Sequence, residues 1–277
     1  MAAFGLFFSS VLLGAAGAWV VGRVADKTGF LDYPNERSSH RTPTPRGGGI
    51  GIFVAFLLSA SVTGAPLTFH VPIGIVSIIA LCGDRVPLSP VLRLYCQLFL
   101  VLFLVAGMGI PAADSRYYPA LVLFWTVFIV GTANLCNFMD GIDGNAAIAG
   151  IVGFGLLALY LLAREAQGYP FITAVCVALA CLGFLPFNMM PRAKVFMGDV
   201  GSILIGSVYA GLVYVTSCTF TDFACMVSFL FPAYADGLTT MYIRLRDGEN
   251  LTHSHRRHIH QLLANEGGIP HWKISLA

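Results

Sequence analysis

The chain has 277 residues, of which 57% are apolar and only 11% charged. A soluble domain of this size cannot hide that much apolar side chain, so water is excluded as its solvent. A net charge of +2 gives no reason to expect a nucleic-acid partner.

Crossing a bilayer as a helix takes roughly 20 apolar residues. About nine such stretches are predicted, at 4–22, 47–64, 69–83, 91–110, 117–133, 146–163, 170–187, 203–218 and 222–243. The first lacks the basic leader and A-x-A pattern of a signal peptide, so a retained helix is expected. With no repeat or low-complexity tract, the prediction is one domain over 1–277: an all-α, polytopic transmembrane bundle of about nine spanning helices in the lipid bilayer. The seven cysteines lie in or beside apolar stretches with no C-x-x-C pair and read as small core residues.

Lys and Arg favour cytoplasmic loops. With the N-terminus outside, 14 of the 16 basic residues fall on the inner side, leaving Arg116 and Arg164 outside. The polar islands between the stretches then emerge on the inner face, as one cleft on the cytoplasmic side.

The first island, residues 32–49, holds Pro34, Pro43, Pro45, Arg37, Arg41, Arg46 and a triple glycine. It reads either as a shaped loop whose amides and guanidiniums hold phosphate, or as an ordinary basic loop. In the second, Gly83 to Pro90, Asp84 is either catalytic or an interfacial acid paired with Arg85. In the third, Asn134, Asn137, Asp140 and Asp143 recur every three residues, which at a helix end turns two amides and two carboxylates toward one face. No basic residue shares that loop, so a divalent cation is a natural partner; helix capping around Gly141 and Gly144 is the alternative.

Further on, Asp199 stands between glycines at a predicted helix start, a place suited to an ion or phosphate. Four of the seven histidines, His253, His255, His258 and His260, fall within eight residues. They suit zinc or a diphosphate, and the adjacent Arg256 and Arg257 favour the anion because cations repel zinc. Asp236 lies inside an apolar stretch, where an acid is either functional or structurally paired with an arginine or a helix end.

With these residues in place, the chain resembles the polyprenyl-phosphate N-acetylhexosamine-1-phosphate transferases, relatives of the phospho-MurNAc-pentapeptide translocase and of the O-antigen-initiating enzymes. The motifs run in family order: P-N-E-R-S-S-H at 34–40, T-P-T-P-R-G-G-G at 42–49, N-x-x-N-x-x-D-G-I-D-G at 134–144, F-M-G-D-V-G-S at 196–202 and H-R-R-H-I-H-Q at 255–261. The resemblance implies transfer of a sugar 1-phosphate from a UDP-N-acetyl sugar to undecaprenyl phosphate, releasing UMP and starting O-antigen or other surface-polysaccharide synthesis. It implies Mg2+, with Mn2+ as the substitute, the bacterial inner membrane as location, and a fold compatible with a homodimer.

Carried over by motif, Asp84, Asp140, Asp199, His255 and His258 are the expected catalytic residues, and Asp199 the metal ligand. Asp143 and Phe196 would hold and stack the uracil, with Asn137 and Asp140 near the sugar phosphate. His255, His258, His260, Arg256 and Arg257 would meet the diphosphate, and Thr44 and Asn134 complete the expected substrate-binding set.

The chain departs from the family pattern twice. Gly83 stands where most members have the first of two aspartates, and the residues after the histidine loop are too few for the family's last spanning helix. A transporter and a zinc hydrolase are the rival classes. The first predicts polar groups near the bilayer midplane and broken-helix repeats; the second predicts an H-E-x-x-H pattern, which does not occur.

Overall fold

A computed structural model describes residues 2–34, 42–86, 88–110, 116–189, 192–250 and 255–277. Most of the P-N-E-R-S-S-H segment, together with Pro87 and His253, lies outside the described residues. The described chain is all-α, with twelve helices and one two-residue ribbon in which β1 (Leu31–Asp32) pairs antiparallel with β2 (Thr44–Pro45).

Among the described residues, seven helices are long and apolar enough to cross a membrane. These are α1 (Ala2–Thr28), α3 (Leu67–Arg85), α4 (Pro90–Met108), α5 (Tyr118–Met139), α6 (Asn145–Ala163), α7 (Tyr169–Asn188) and α8 (Asp199–Thr216). The expectation of nine differs at two stretches. α2 (Ile50–Val62) has 13 residues, shorter than the predicted 47–64. The reason is tertiary: Gly48 and Gly49 donate their N–H groups to the carbonyls of Phe196 and Met197, both at 2.9 Å, so this backbone is tied to another loop. The stretch 222–243 is two helices, α9 (Phe220–Ser228) and α10 (Phe231–Arg246). Pro232, in the first turn of α10, has no N–H to continue the helix from Ser228, so the chain breaks there. A capping box between Thr219 and Asp222 fixes the start of α9.

α8 is the hub, buried from Asp199 through Tyr214 and packed against α3 and α5. Lipid tails are as apolar as a leucine, so close packing and internal hydrogen bonds hold such a bundle together. Tyr209, fully buried, donates its hydroxyl to the carbonyl of Met226 at 2.6 Å, and Tyr214 donates to that of Gly109 at 2.5 Å. α1 and α7 approach closely because Gly14 lies on the backbone of Ala180 and Gly183 on that of Val11; a Cβ on either would lie 2.0 Å from the opposing helix's carbonyl oxygen.

The up-and-down order gathers the C-terminal ends of α3 and α5 and the N-terminal ends of α4 and α8 at one end of the bundle. The loop before α2 lies there too, joined by a bridge between Arg46 and Phe196. Two short helices, α11 (Ile259–Asn265) and α12 (His271–Leu276), close the described chain.

Candidate active site

The site begins with a backbone demand. α8 starts at Asp199, and its first N–H groups have no partner within the helix. Asp84, at the end of α3, supplies one: its carboxylate accepts from the N–H of Asp199 at 3.0 Å and of Val200 at 3.2 Å. Gly198 makes the approach possible. Its φ is +76°, and a Cβ there would lie 2.6 Å from Oδ2 of Asp84 and 2.8 Å from the Gly47 nitrogen.

Asp84 is paired with Arg46, Nε to Oδ1 at 2.8 Å, and not with its neighbour Arg85. Successive residues on a helix point about 100° apart, so Arg85 turns elsewhere while Arg46 arrives from the loop before α2. Arg46 also reaches Oδ1 of Asp199, Nη2 at 2.7 Å, and Arg93 of α4 holds Oδ2 through Nη1. Asn137 donates to Asp199 at 3.0 Å and to the hydroxyl of Ser202 at 2.9 Å. Burial opposes the charge on Arg46, but Asp199 and Asp84 outweigh it and hold the guanidinium above its ordinary range.

Asp140, just past α5, belongs electrostatically to this group. Burial raises its carboxyl well above the usual range; Arg46 opposes the rise, and Asp199 and Asp84 add to it. Two guanidiniums and three carboxylates thus share one end of the bundle.

The remaining predicted residues fall into three neighbouring places. Thr44, buried on the ribbon, donates to the carbonyl of Thr42 at 3.0 Å, and next to it the carbonyl of Pro45 accepts from Phe196 N–H at 2.7 Å. Asp143 takes the N–H of Ala193 at 3.1 Å and lies 3.4 Å from Nδ1 of His271, while its carbonyl accepts from Ser275 at 2.9 Å. His255, His258 and His260 cluster beside Phe138, with the His258 ring 5.2 Å from it. Burial first, then His258 and Arg244, push His255 down to about 4, so the free protein presents it as a neutral imidazole at pH 7.

Asn134 lies one turn deeper in α5 than Asn137 and donates to Gln97 at 2.7 Å, facing α4 and not the acids. Arg256 is exposed, and Arg257 is ion-paired with Asp247 and Glu249 within its own loop. Asp236 is partnered by a helix end and by the histidines: it accepts from the N–H of Ile259 and from His260, both at 2.8 Å.

Sequence reasoning missed Arg93 as a site residue, counting it only toward membrane orientation. The available signal was an arginine one turn inside an apolar helix, a costly position without a partner. Gln97, His271 and Ser275 carried no such signal.

Among the described residues, no three carboxylate, imidazole or thiol side chains stand close enough to cage a metal by themselves. Mg2+ does not need that, since it commonly uses one or two carboxylates together with water and substrate phosphates. Asp199 and Asp140 fit that donor chemistry.

Residues 67–217 match the model of glycosyl transferase family 4, and the chain belongs to this family of polyprenyl-phosphate sugar-phosphate transferases. It is a multi-pass membrane transferase, as the resemblance of its motifs implied. It is 30% identical to the decaprenyl-phosphate N-acetylglucosaminephosphotransferase of Mycobacterium leprae, over 90% of this chain and 73% of that one. Identity to the probable undecaprenyl-phosphate N-acetylglucosaminyl 1-phosphate transferase of Bacillus subtilis is 28%, over 88% of this chain and 72% of the relative. The phospho-N-acetylmuramoyl-pentapeptide-transferase of Staphylococcus saprophyticus matches at 35% over a smaller part, 46% of this chain and 39% of its own.

Proposed function

We propose that the chain transfers N-acetylglucosamine 1-phosphate, or a closely related N-acetylhexosamine 1-phosphate, from its UDP sugar to undecaprenyl phosphate, releasing UMP. The reaction would take place on the cytoplasmic face of the bacterial inner membrane and start a surface polysaccharide such as O-antigen. The observation that carries this reading is the group formed by Arg46, Arg93, Asp84 and Asp199 at one end of an apolar bundle. Guanidiniums bind phosphate in fork geometry, and a bundle end is where a lipid phosphate and a water-borne nucleotide can meet. The names of the full-length relatives support the sugar and the lipid.

An oxygen of the lipid phosphate bonds to the β-phosphorus as the bond from that phosphorus to the bridging oxygen breaks, and UMP leaves with the electron pair. The attacking phosphate has a second pKa of about 6 and is largely ionised at neutral pH. Alignment and charge neutralisation therefore matter more than a strong base. Asp143 and Phe196 would hold the uracil, Arg46 and Arg93 would turn toward phosphate, and the imidazoles would face the diphosphate. Asp199, with Asp140 near it, would hold Mg2+ or Mn2+, which when bound would neutralise diphosphate charge.

The test is incubation of membranes with radiolabelled UDP-GlcNAc, undecaprenyl phosphate and Mg2+. UMP and labelled lipid should form, and both should vanish with EDTA or in Asp199→Ala. No UMP from any UDP sugar, with wild type matching Asp199→Ala, refutes the proposal. Gly83 favours a second reading, a family member that binds the UDP sugar but turns it over poorly; binding of UDP-GlcNAc without UMP release would select it.

A further inference from the structure

α10 turns a polar side into the protein while Phe231, Leu238, Tyr242 and Leu245 face outward. Asp236, Thr240 and Arg244, spaced by four, form a buried polar stripe along one side. Arg244 spends its donors on the following loop, with Nε to Glu249 at 2.8 Å and Nη2 to the carbonyl of Asn250 at 2.7 Å. Asp236 turns to the histidines. Its Oδ1 accepts from Ile259 N–H at 2.8 Å and from the Thr240 hydroxyl at 3.4 Å. Its Oδ2 takes Nδ1 of His260 at 2.8 Å and lies 3.3 Å from Nδ1 of His258, an ion-pair approach without hydrogen-bond geometry.

Both rings are therefore anchored on the same side. They stack at 5.4 Å with planes 16° apart, and His258 leans on Phe138. Their far nitrogens tell the rest. His258 is 3% exposed and His260 6%, yet Nε2 of each has no hydrogen-bond partner among the described residues. Leaving a buried polar atom unpaired is costly, so two side by side call for a ligand. Nε2 of His260 faces the Asp140–Asp143 loop: a Cβ on Gly141 would sit 3.1 Å from it.

We infer that Asp236 is a positioning residue for the transfer, fixing the ring of His260 directly and that of His258 by attraction so that both Nε2 atoms are presented to the diphosphate of the donor. The inference rests on the proposed function for the identity of that anion. A carboxylate behind an imidazole fixes the tautomer with the proton on Nδ1 and holds the ring plane. When Nε2 takes up a proton it becomes a charged donor aimed at the charge left on UMP. An asparagine in place of Asp236 reverses this. Its oxygen would stay on Ile259 N–H, and its NH2 would face Nδ1 of His260, forcing the proton onto Nε2.

The experiment uses the full chain, purified in detergent, with UDP-GlcNAc and undecaprenyl phosphate. Asp236→Asn should lower kcat roughly 10–100-fold, by analogy with the loss when the partner that orients a metal-ligating histidine is removed. KM for UDP-GlcNAc should stay within about threefold, because an interaction made mainly in the transition state leaves ground-state binding alone. In a double-mutant cycle with His260→Ala, Asp236→Asn should cost much less than it does in wild type, because only the weaker hold on His258 is left to lose. A wild-type kcat in Asp236→Asn, or multiplicative losses in the cycle, overturns the inference. Nitrogen-15 spectra of histidine-labelled wild-type protein above pH 7 keep the idea falsifiable even if the variant does not fold: His260 must carry its proton on Nδ1, and the opposite tautomer overturns it. Wild type that releases no UMP from any UDP sugar defeats the proposed function instead, and leaves the tautomer result standing.

Discussion

Gly83→Asp places a second carboxylate beside Asp84, as the resemblance of the motifs implies, and the structure says what it would meet. A Cβ at this position finds only ordinary contacts: Cδ of Arg93 at 3.7 Å, Cδ1 of Leu88 at 3.8 Å and Nη1 of Arg93 at 3.9 Å. No backbone obstructs it, and replacing a helical glycine gains a few tenths of a kcal/mol. An acid in the last turn of α3 opposes the helix dipole by about 0.3–1 kcal/mol, so net stability should hardly change. The electrostatic consequence is larger. Arg93 now serves Asp199, and its side chain is 30% exposed. A second carboxylate about 4 Å away interacts with it at about 4 kcal/mol for an effective dielectric of 20, which solvent exposure reduces to about 1 kcal/mol. Drawing Arg93 toward residue 83 frees one oxygen of Asp199 for the cation expected there. A gain of about 1 kcal/mol corresponds to a five- to tenfold rise in turnover. The assay is UMP release in one detergent, wild type beside variant at saturating UDP-GlcNAc. An unchanged or lower rate, in a variant with an unchanged thermal midpoint, would refute the reasoning.

Gly198→Ala should cost more than about 2 kcal/mol, combining left-handed strain with the clash at 2.6 Å against Asp84; thermal unfolding in detergent measures it, and a wild-type midpoint contradicts it. Asp84→Ala removes two acceptors from the start of α8 and the partner of Arg46, so a loss of about 1–3 kcal/mol together with loss of transfer is expected. A variant that loses transfer at full stability would make Asp84 purely chemical. His255, held at about 4 against an ordinary value of 6.5, binds fewer protons folded than unfolded. Stability should therefore fall as pH drops from 6.5 toward 4 and gain no further slope from this group below that. His255→Ala should flatten the decline, and identical slopes for the two proteins count against the assignment.

The membrane class, the all-α fold and the four polar islands follow from composition and short-range order. A helix in lipid must satisfy its backbone internally and be apolar for about 20 residues, and those requirements are written residue by residue. Local order also marks Asp84, Asn137, Asp140 and Asp199 as candidates, because acids and amides at the ends of apolar helices are costly there without a partner. It did not reveal the shortened α2 or the break before Pro232 in its effect on span number. The first depends on Gly48 and Gly49 binding a loop nearly 150 residues away. Partner choice was likewise a tertiary matter. Asp84 had Arg85 beside it in sequence but took Arg46, and Asp199 took Arg93 across 106 positions. Arg257, expected at the diphosphate, is paired with Asp247 and Glu249, while Asp236 stands behind two histidines that sequence alone left without a support. Sequence determines which side chains cannot remain in lipid unpaired, since that penalty belongs to each residue. Only the packing of helices decides which opposite charge arrives within 3 Å, since that depends on crossing geometry that no local pattern encodes.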